Sequence, residues 1–152
     1  MTINSGSTQD RQDFHDLALG YAQAADRRDY EAFRELFVED GIVGVHYGDP
    51  GSVAPEFEMK GIDPIVKGMR GLEQYSRTMH VVSNQYVDVE GDRATGETYC
   101  VAHHIHEKQG VEWVYVMHIR YQDRYTRPSG PWRFSERRLW VEFTTDRPLE
   151  HA

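Results

Sequence analysis

Apolar positions recur at helical spacing from Asp10 onward. Phe14, Leu17, Ala18, Tyr21, Ala22 and Ala25 form one stripe, with polar residues around it. The spacing predicts a long amphipathic helix that starts at Thr8 or Asp10. A second, shorter helix is expected in "DRRDYEAFRELFVEDG". Asp29 can cap it, Tyr30, Phe33, Leu36 and Phe37 face inward, and Gly41 stops it. Residues 42–47 then read as a short strand. The Gly- and Pro-bearing stretch after it reads as a long loop or loose hairpin, the kind of segment that often forms a lid or binding loop. "DPIVKGMRGLEQYSRT" restarts a helix, with Asp63 as cap and Pro64 at the first helical position.

From His80 the pattern is β. Four strands are expected, over residues 80–90, 94–107, 112–127 and 132–144. The turn "EGDR" and the loops "EKQGVE" and "RPSGPW" separate them. Successive hairpins give a mostly antiparallel meander. Helices first and strands afterwards predict an α+β fold, with helices packed on one face of a curved sheet. Residues 1–7 are small and polar and are expected to fray.

The chain has 152 residues, which suits a single domain over 1–152 with a substantial core. Six Phe, nine Tyr and three Trp suit a large core or a ring-lined pocket. A net charge of −8 argues against general binding to nucleic-acid phosphates. The single cysteine, Cys100, cannot form an intramolecular disulfide. No apolar run is long enough to span a membrane. The first residues lack the apolar region of a secretory signal, so the expected setting is soluble and cytoplasmic. No G-x-S-x-G, P-loop, GxGxxG or kinase signature occurs.

Several residues could carry chemistry. Asp26 ends the first helix on the flank of its stripe, where a plain solvated helix end is the competing reading. His80 opens a strand, and alternation puts Val82, Asn84 and Tyr86 on its face. Neither face of that strand is cleanly apolar, which suits a sheet covered on both sides or a polar pocket wall. In "HHIH", His104 and His106 share a face with Cys100 and Ala102, and His103 points the other way. An H-x-H pair can donate two metal ligands. No CxxC or HExxH accompanies it, so a metal site is not expected. In "WRFSERRLWVEF", Arg133, Ser135, Arg137, Leu139 and Val141 share one parity, and Phe134, Glu136, Arg138 and Trp140 the other. A pocket arginine would bind a carboxylate or a developing oxyanion.

"LALGYAQAADRRDYEAFRELFVEDG", "TMHVVSNQYVDVEGDRATGETYCVAHH" and "YQDRYTRPSGPWRFSERRLWVEF" together resemble the SnoaL-like group of the NTF2-like superfamily. The nearest types are scytalone dehydratase, hexachlorocyclohexane dehydrochlorinase and bile acid 7α-dehydratase. The resemblance implies a cone-shaped α+β barrel with a deep apolar pocket. It implies that His80 is a base and that Asp26 orients it. It carries Tyr21 and His104 as further catalytic candidates, with a one-residue slip to His103 left open. Tyr47, Asn84 and either Arg137 or Arg138 are the substrate-binding candidates. Ala25 stands where scytalone dehydratase has a tyrosine, so identity with that enzyme is not expected.

The expected function is a cofactor-independent lyase, dehydratase or dehydrohalogenase in type, acting on a small apolar cyclic substrate. The alternatives are a polyketide cyclase or ketosteroid-type isomerase using the same base, and a non-catalytic binding or dioxygenase β-subunit-like protein. A hydrophobic small molecule is the expected partner, with no nucleic acid, no membrane, and assembly as a homodimer or homotrimer.

Overall fold

The computed structural model describes residues 4–150. The elements in chain order are α1 (Thr8–Arg27), α2 (Tyr30–Arg34), β1 (Phe37–His46), β2 (Phe57–Lys60), α3 (Ile62–Met69), a 3₁₀ turn (Arg70–Gln74), β3 (Arg77–Glu90), β4 (Arg93–Lys108), β5 (Val111–Thr126) and β6 (Arg133–Pro148). The strands form one curved, open, mixed sheet in the order β2-β1-β6-β5-β4-β3. All neighbours are antiparallel except β1 and β6, which run parallel. The helices pack against this sheet, as the α+β pattern predicts.

α1 carries the expected stripe inward: Phe14, Leu17, Ala18, Tyr21, Ala22 and Ala25 are all buried. Its start is better fixed than the composition of residues 1–7 suggests. Ser7 and Asp10 form a capping box, in which each side chain meets the other's backbone amide. The Asn4 and Ser5 side chains accept from the amides of Val87 and Val89 on β3. Residues 4–7 are therefore pinned, while 1–3 lie outside the described residues.

α2 is shorter than its sequence suggests. Asp29 does cap it, accepting from the Ala32 amide at 3.0 Å, but Phe37 already opens β1. The Phe37 ring packs against Phe33 and Phe134, so burial against the sheet overrides helical spacing. Gly41 lies inside β1, where the pairing with β6 changes register between Phe37 and Ile42. α3 starts earlier than expected. Gly61 precedes it at φ 90°, and Asp63 and Pro64 fall in its first turn. Asp63 pairs with Arg34 of α2 at 2.8 Å and does not cap.

Candidate active site

The turn that ends α1 decides where Asp26 points. Arg28 adopts a left-handed backbone, φ 57° and ψ 34°. Its amide reaches the Ala25 carbonyl, and the amide of Asp29 reaches that of Ala24. This Schellman pairing stops the helix. The Asp26 carboxylate then meets the start of β3. Oδ1 accepts from the Thr78 hydroxyl at 2.9 Å and lies 2.7 Å from His80 Nδ1. Oδ2 accepts from the His80 amide at 2.9 Å.

Burial works against ionisation of Asp26, but the His80 ring, the His80 amide and Thr78 outweigh it and hold the carboxyl below its ordinary value. An ionised carboxylate only accepts hydrogen bonds. His80 Nδ1 therefore carries the hydrogen, and in the neutral ring the lone pair is on Nε2. The His80 side chain is 7% exposed and lines a cavity of about 340 Å³.

The cavity lies between the helices and the inner sheet face. Tyr21 and Phe33 come from the helices, Val43 and Val45 from β1, and Leu72 and Tyr75 from the 3₁₀ turn and its end. His104, Tyr115, Tyr121 and Leu139 come from the central strands, and Tyr47 stands half exposed at the rim. Among the described residues, no Asp, Glu, Lys or Arg lines it. A depression on the outer sheet face, bordered by Asp88, Glu97, Arg124 and Arg138, contains neither Asp26 nor His80.

His104 is the histidine of "HHIH" that faces this cavity. It is 3% exposed, and its ring centroid lies 5.9 Å from that of His80. Burial lowers its pKa from 6.5 to about 4, against the opposing pull of the Tyr115 carbonyl. Its Nδ1 lies 3.1 Å from that carbonyl, so the neutral ring donates from Nδ1 and offers Nε2 as an acceptor. His103 turns to the opposite face, with Nδ1 3.1 Å from the Met79 carbonyl. His106 pairs with Asp146 at 2.8 Å. Among the described residues, no cluster of His, Cys, Asp and Glu is arranged to hold a metal ion.

Tyr21 is buried, and burial pushes its hydroxyl up to about 12 despite the nearby Arg137. It is a neutral donor at ordinary pH. Arg137 has the inward parity but does not line the cavity. Its Nε and Nη2 donate to the Asp123 oxygens at 2.8 Å each. Its guanidinium carbon lies 3.8 Å from the Tyr121 ring centre and 4.3 Å from that of Tyr21. Those rings line the cavity in its place. Arg138 points outward to Glu136, at 2.6 Å, and to Glu58.

Asn84 is exposed and is not part of the cavity. The β3–β4 register shifts between Val82 and Gln85. A bulge there breaks the alternation that placed Asn84 beside His80.

The profile of the SnoaL-like domain matches residues 6–138. The chain belongs to the SnoaL-like domain family. A scytalone dehydratase-like protein from Novosphingobium aromaticivorans is 25% identical to this SnoaL-like chain. They superpose with a TM-score of 0.78, over 95% of this chain and 91% of the other. A type 2 hexachlorocyclohexane dehydrochlorinase has a TM-score of 0.78 at 18% identity, over 96% and 95%. A β-subunit-like protein of an aromatic-ring-hydroxylating dioxygenase from N. aromaticivorans has a TM-score of 0.71 at 20% identity, over 93% and 91%. The last two likenesses concern the fold. No protein of curated function matches the sequence.

Tyr75, Tyr115, Tyr121, Thr78 and Arg28 stand at the site of this SnoaL-like domain without being expected there from the sequence. The strand tyrosines had a usable signal, because Tyr115 pairs with His104 and Tyr121 with Thr98 across β4 and β5. Correct pairing of those strands places both tyrosines on the face of His104. Arg28 had none, since its placement depends on the left-handed turn.

Proposed function

We propose that the protein is a cofactor-independent lyase of the dehydratase or dehydrohalogenase type. The observation that carries this reading is the 2.7 Å contact between Asp26 and His80 Nδ1, with His80 opening onto an uncharged cavity. Nε2 of His80 would take a proton from carbon. The C–H electrons would form the new double bond as a neighbouring C–O or C–halide bond breaks. Asp26 stabilises the imidazolium formed on the way.

Departing hydroxide needs a proton, and neutral Tyr21, in the cavity wall, would donate it. A departing halide needs none. His104 suits a different task from leaving-group donation: its free Nε2 can accept from a substrate hydroxyl. Tyr47 would touch substrate near the rim. The wall of rings and aliphatic chains suits a small, apolar, cyclic substrate.

The test is turnover of a panel of cyclic hydroxyketones and chlorinated cyclohexanes, read by mass spectrometry as loss of water or hydrogen halide. His80→Ala and Asp26→Asn should each lower kcat about 100-fold or more. Full activity in both variants, on a substrate that the parent turns over, would sink the dyad.

The two imidazoles facing one cavity at 5.9 Å favour a second reading, an isomerase or cyclase. There the proton taken by His80 is returned, or a C–C bond forms. A product with the mass of its substrate would select it. A purely structural role fits poorly with an open cavity beside the Asp26–His80 contact. Self-association as a homodimer or homotrimer is part of the proposal, since Met79, Val81 and Phe143 are exposed on the sheet. Sedimentation equilibrium giving a monomer mass would remove that part.

A further inference from the structure

We propose that Arg28 is a positioning residue of the dyad, fixing the Thr78 hydroxyl toward Asp26 and tying the cavity wall to that pair. The role assigned to Arg28 rests on the dyad reading only for its consequence in catalysis. The hydrogen-bond order itself can be tested without substrate.

The Arg28 guanidinium makes four contacts. Nη1 donates to the Ala25 carbonyl at 2.6 Å and to Thr78 Oγ1 at 2.8 Å. Nη2 donates to the carbonyls of Leu72 at 3.0 Å and Tyr75 at 3.4 Å. A guanidinium can only donate, and an ionised carboxylate can only accept. Thr78 has a single hydroxyl proton. With Arg28 occupying a lone pair of Oγ1, that proton must go to Asp26 Oδ1, 2.9 Å away. The order Arg28 to Thr78 to Asp26 has one allowed direction. It leaves Asp26 ionised and directs its remaining accepting capacity to His80.

A second observation points the same way. Arg28 holds φ 57°, a conformation unfavourable for a residue with a Cβ and in which glycine is the usual occupant. Strain of this kind persists where the surroundings hold it. Here the surroundings are the four side-chain contacts, two of which end on the backbone of Leu72 and Tyr75. Those two residues line the cavity. One side chain therefore sets both the dyad and the wall facing it.

Other groups also face Asp26 and His80, and none of them is itself substituted in the variants used below. His104 and Cys100 approach from β4. Tyr75, from the end of the 3₁₀ turn, packs its ring on His104. Glu73, Arg77, His103 and Arg147 share the outer depression that reaches Asp26. A change seen in the variants is thus assignable to the Arg28–Thr78 link.

The experiment is a carboxyl-carbon NMR titration of Asp26 in the parent, Arg28→Gly, Thr78→Val, Thr78→Ser and the Arg28→Gly/Thr78→Val double variant. Thermal melts are recorded alongside. Thr78→Val should raise the Asp26 midpoint by about half a pH unit or more, because the carboxylate loses a donor. Arg28→Gly should raise it in the same direction without lowering the melting temperature, since glycine relieves the backbone. The double variant should shift no further than Thr78→Val, and Thr78→Ser should restore the parent curve.

Unchanged titration in the folded single variants overturns the proposal, and so does a lower melting temperature alone. A fully additive double variant also overturns it, since the effect would then be charge at a distance. If the titrations behave as expected and His80→Ala keeps full turnover, the lyase reading fails and the positioning role stands.

Discussion

His80 and His104 share one cavity, but a different group lies beside each Nδ1. His80 meets a carboxylate and His104 a neutral carbonyl. A carboxylate repays an imidazolium for lost water, and a carbonyl in a dry wall does not. His104 accordingly falls from 6.5 to about 4, which means that folding favours its neutral ring. That contribution is complete above about pH 6.5 and is lost as the pH falls through 6.5 toward 4. It amounts to at most about 3 kcal/mol. Urea unfolding of the parent should show stability declining across that window. His104→Gln should flatten the decline, and His103→Gln should leave it intact. An undiminished decline in His104→Gln would assign it to other groups. The contact between Asp26 and His80 was expected from the resemblance that the whole chain carries, and not from either position alone. Thr78 and Arg28 were not, because their contact joins residues 50 positions apart through a turn no propensity predicts.

At the scale of elements, α1 is the rod that sets the site, and it is fastened at both ends. Its C-terminal end carries Asp26 and Arg28 onto β3. At its N-terminal end, Asp10 closes the capping box. Asp10 Oδ1 also accepts from Trp132 Nε1 at 2.9 Å and Arg127 Nη1 at 2.8 Å, both beside the last hairpin. Those donors hold its carboxyl far below the ordinary value, with Trp132 foremost. Ser7→Ala removes only the cap and should cost about 1 kcal/mol. Asp10→Ala also strands a buried indole N–H and should cost about 2–3 kcal/mol. Chemical denaturation of the two variants checks the ranking, and equal losses would show that the tie to the hairpin contributes nothing. The helix itself was readable, since twenty residues give its stripe enough repeats. The end of α2 and the bulge in β3 were not. Phe37 follows the sheet although helical spacing also fits it, and a register shift at Ser83–Asn84 leaves no trace in composition.

At the scale of the molecule, one core has two characters. Around the start of α1 it is filled by rings: Phe14 packs on Tyr125 and Trp132, and Tyr125 on Phe134. Toward the end of α1 it opens into the cavity of His80 and His104. The Arg137–Asp123 pair lies between, with side chains 1% and 0% exposed and the guanidinium against Tyr21, Tyr121 and Phe134. The α+β class was legible from the order of patterns, but the parallel joining of β1 to β6 spans most of the chain and has no local signal. That joining completes the inner face on which Arg137 sits, and so helps bury a charge that the sequence suggested was for substrate. Among the described residues Arg137 Nη1 has no hydrogen-bond partner, so the ion pair is made but not fully satisfied. Removing one member leaves a buried charge uncompensated, and Asp123→Ala or Arg137→Met should each cost about 3–5 kcal/mol. Replacing both, as Arg137→Met with Asp123→Leu, trades the pair for apolar packing and should recover most of that loss. Urea midpoints of the two single variants and the double variant decide the matter. If the double variant is as unstable as the sum of the singles, the pair is not compensating for its own burial. The neighbouring rings, and not the charges, would then hold the floor of the cavity.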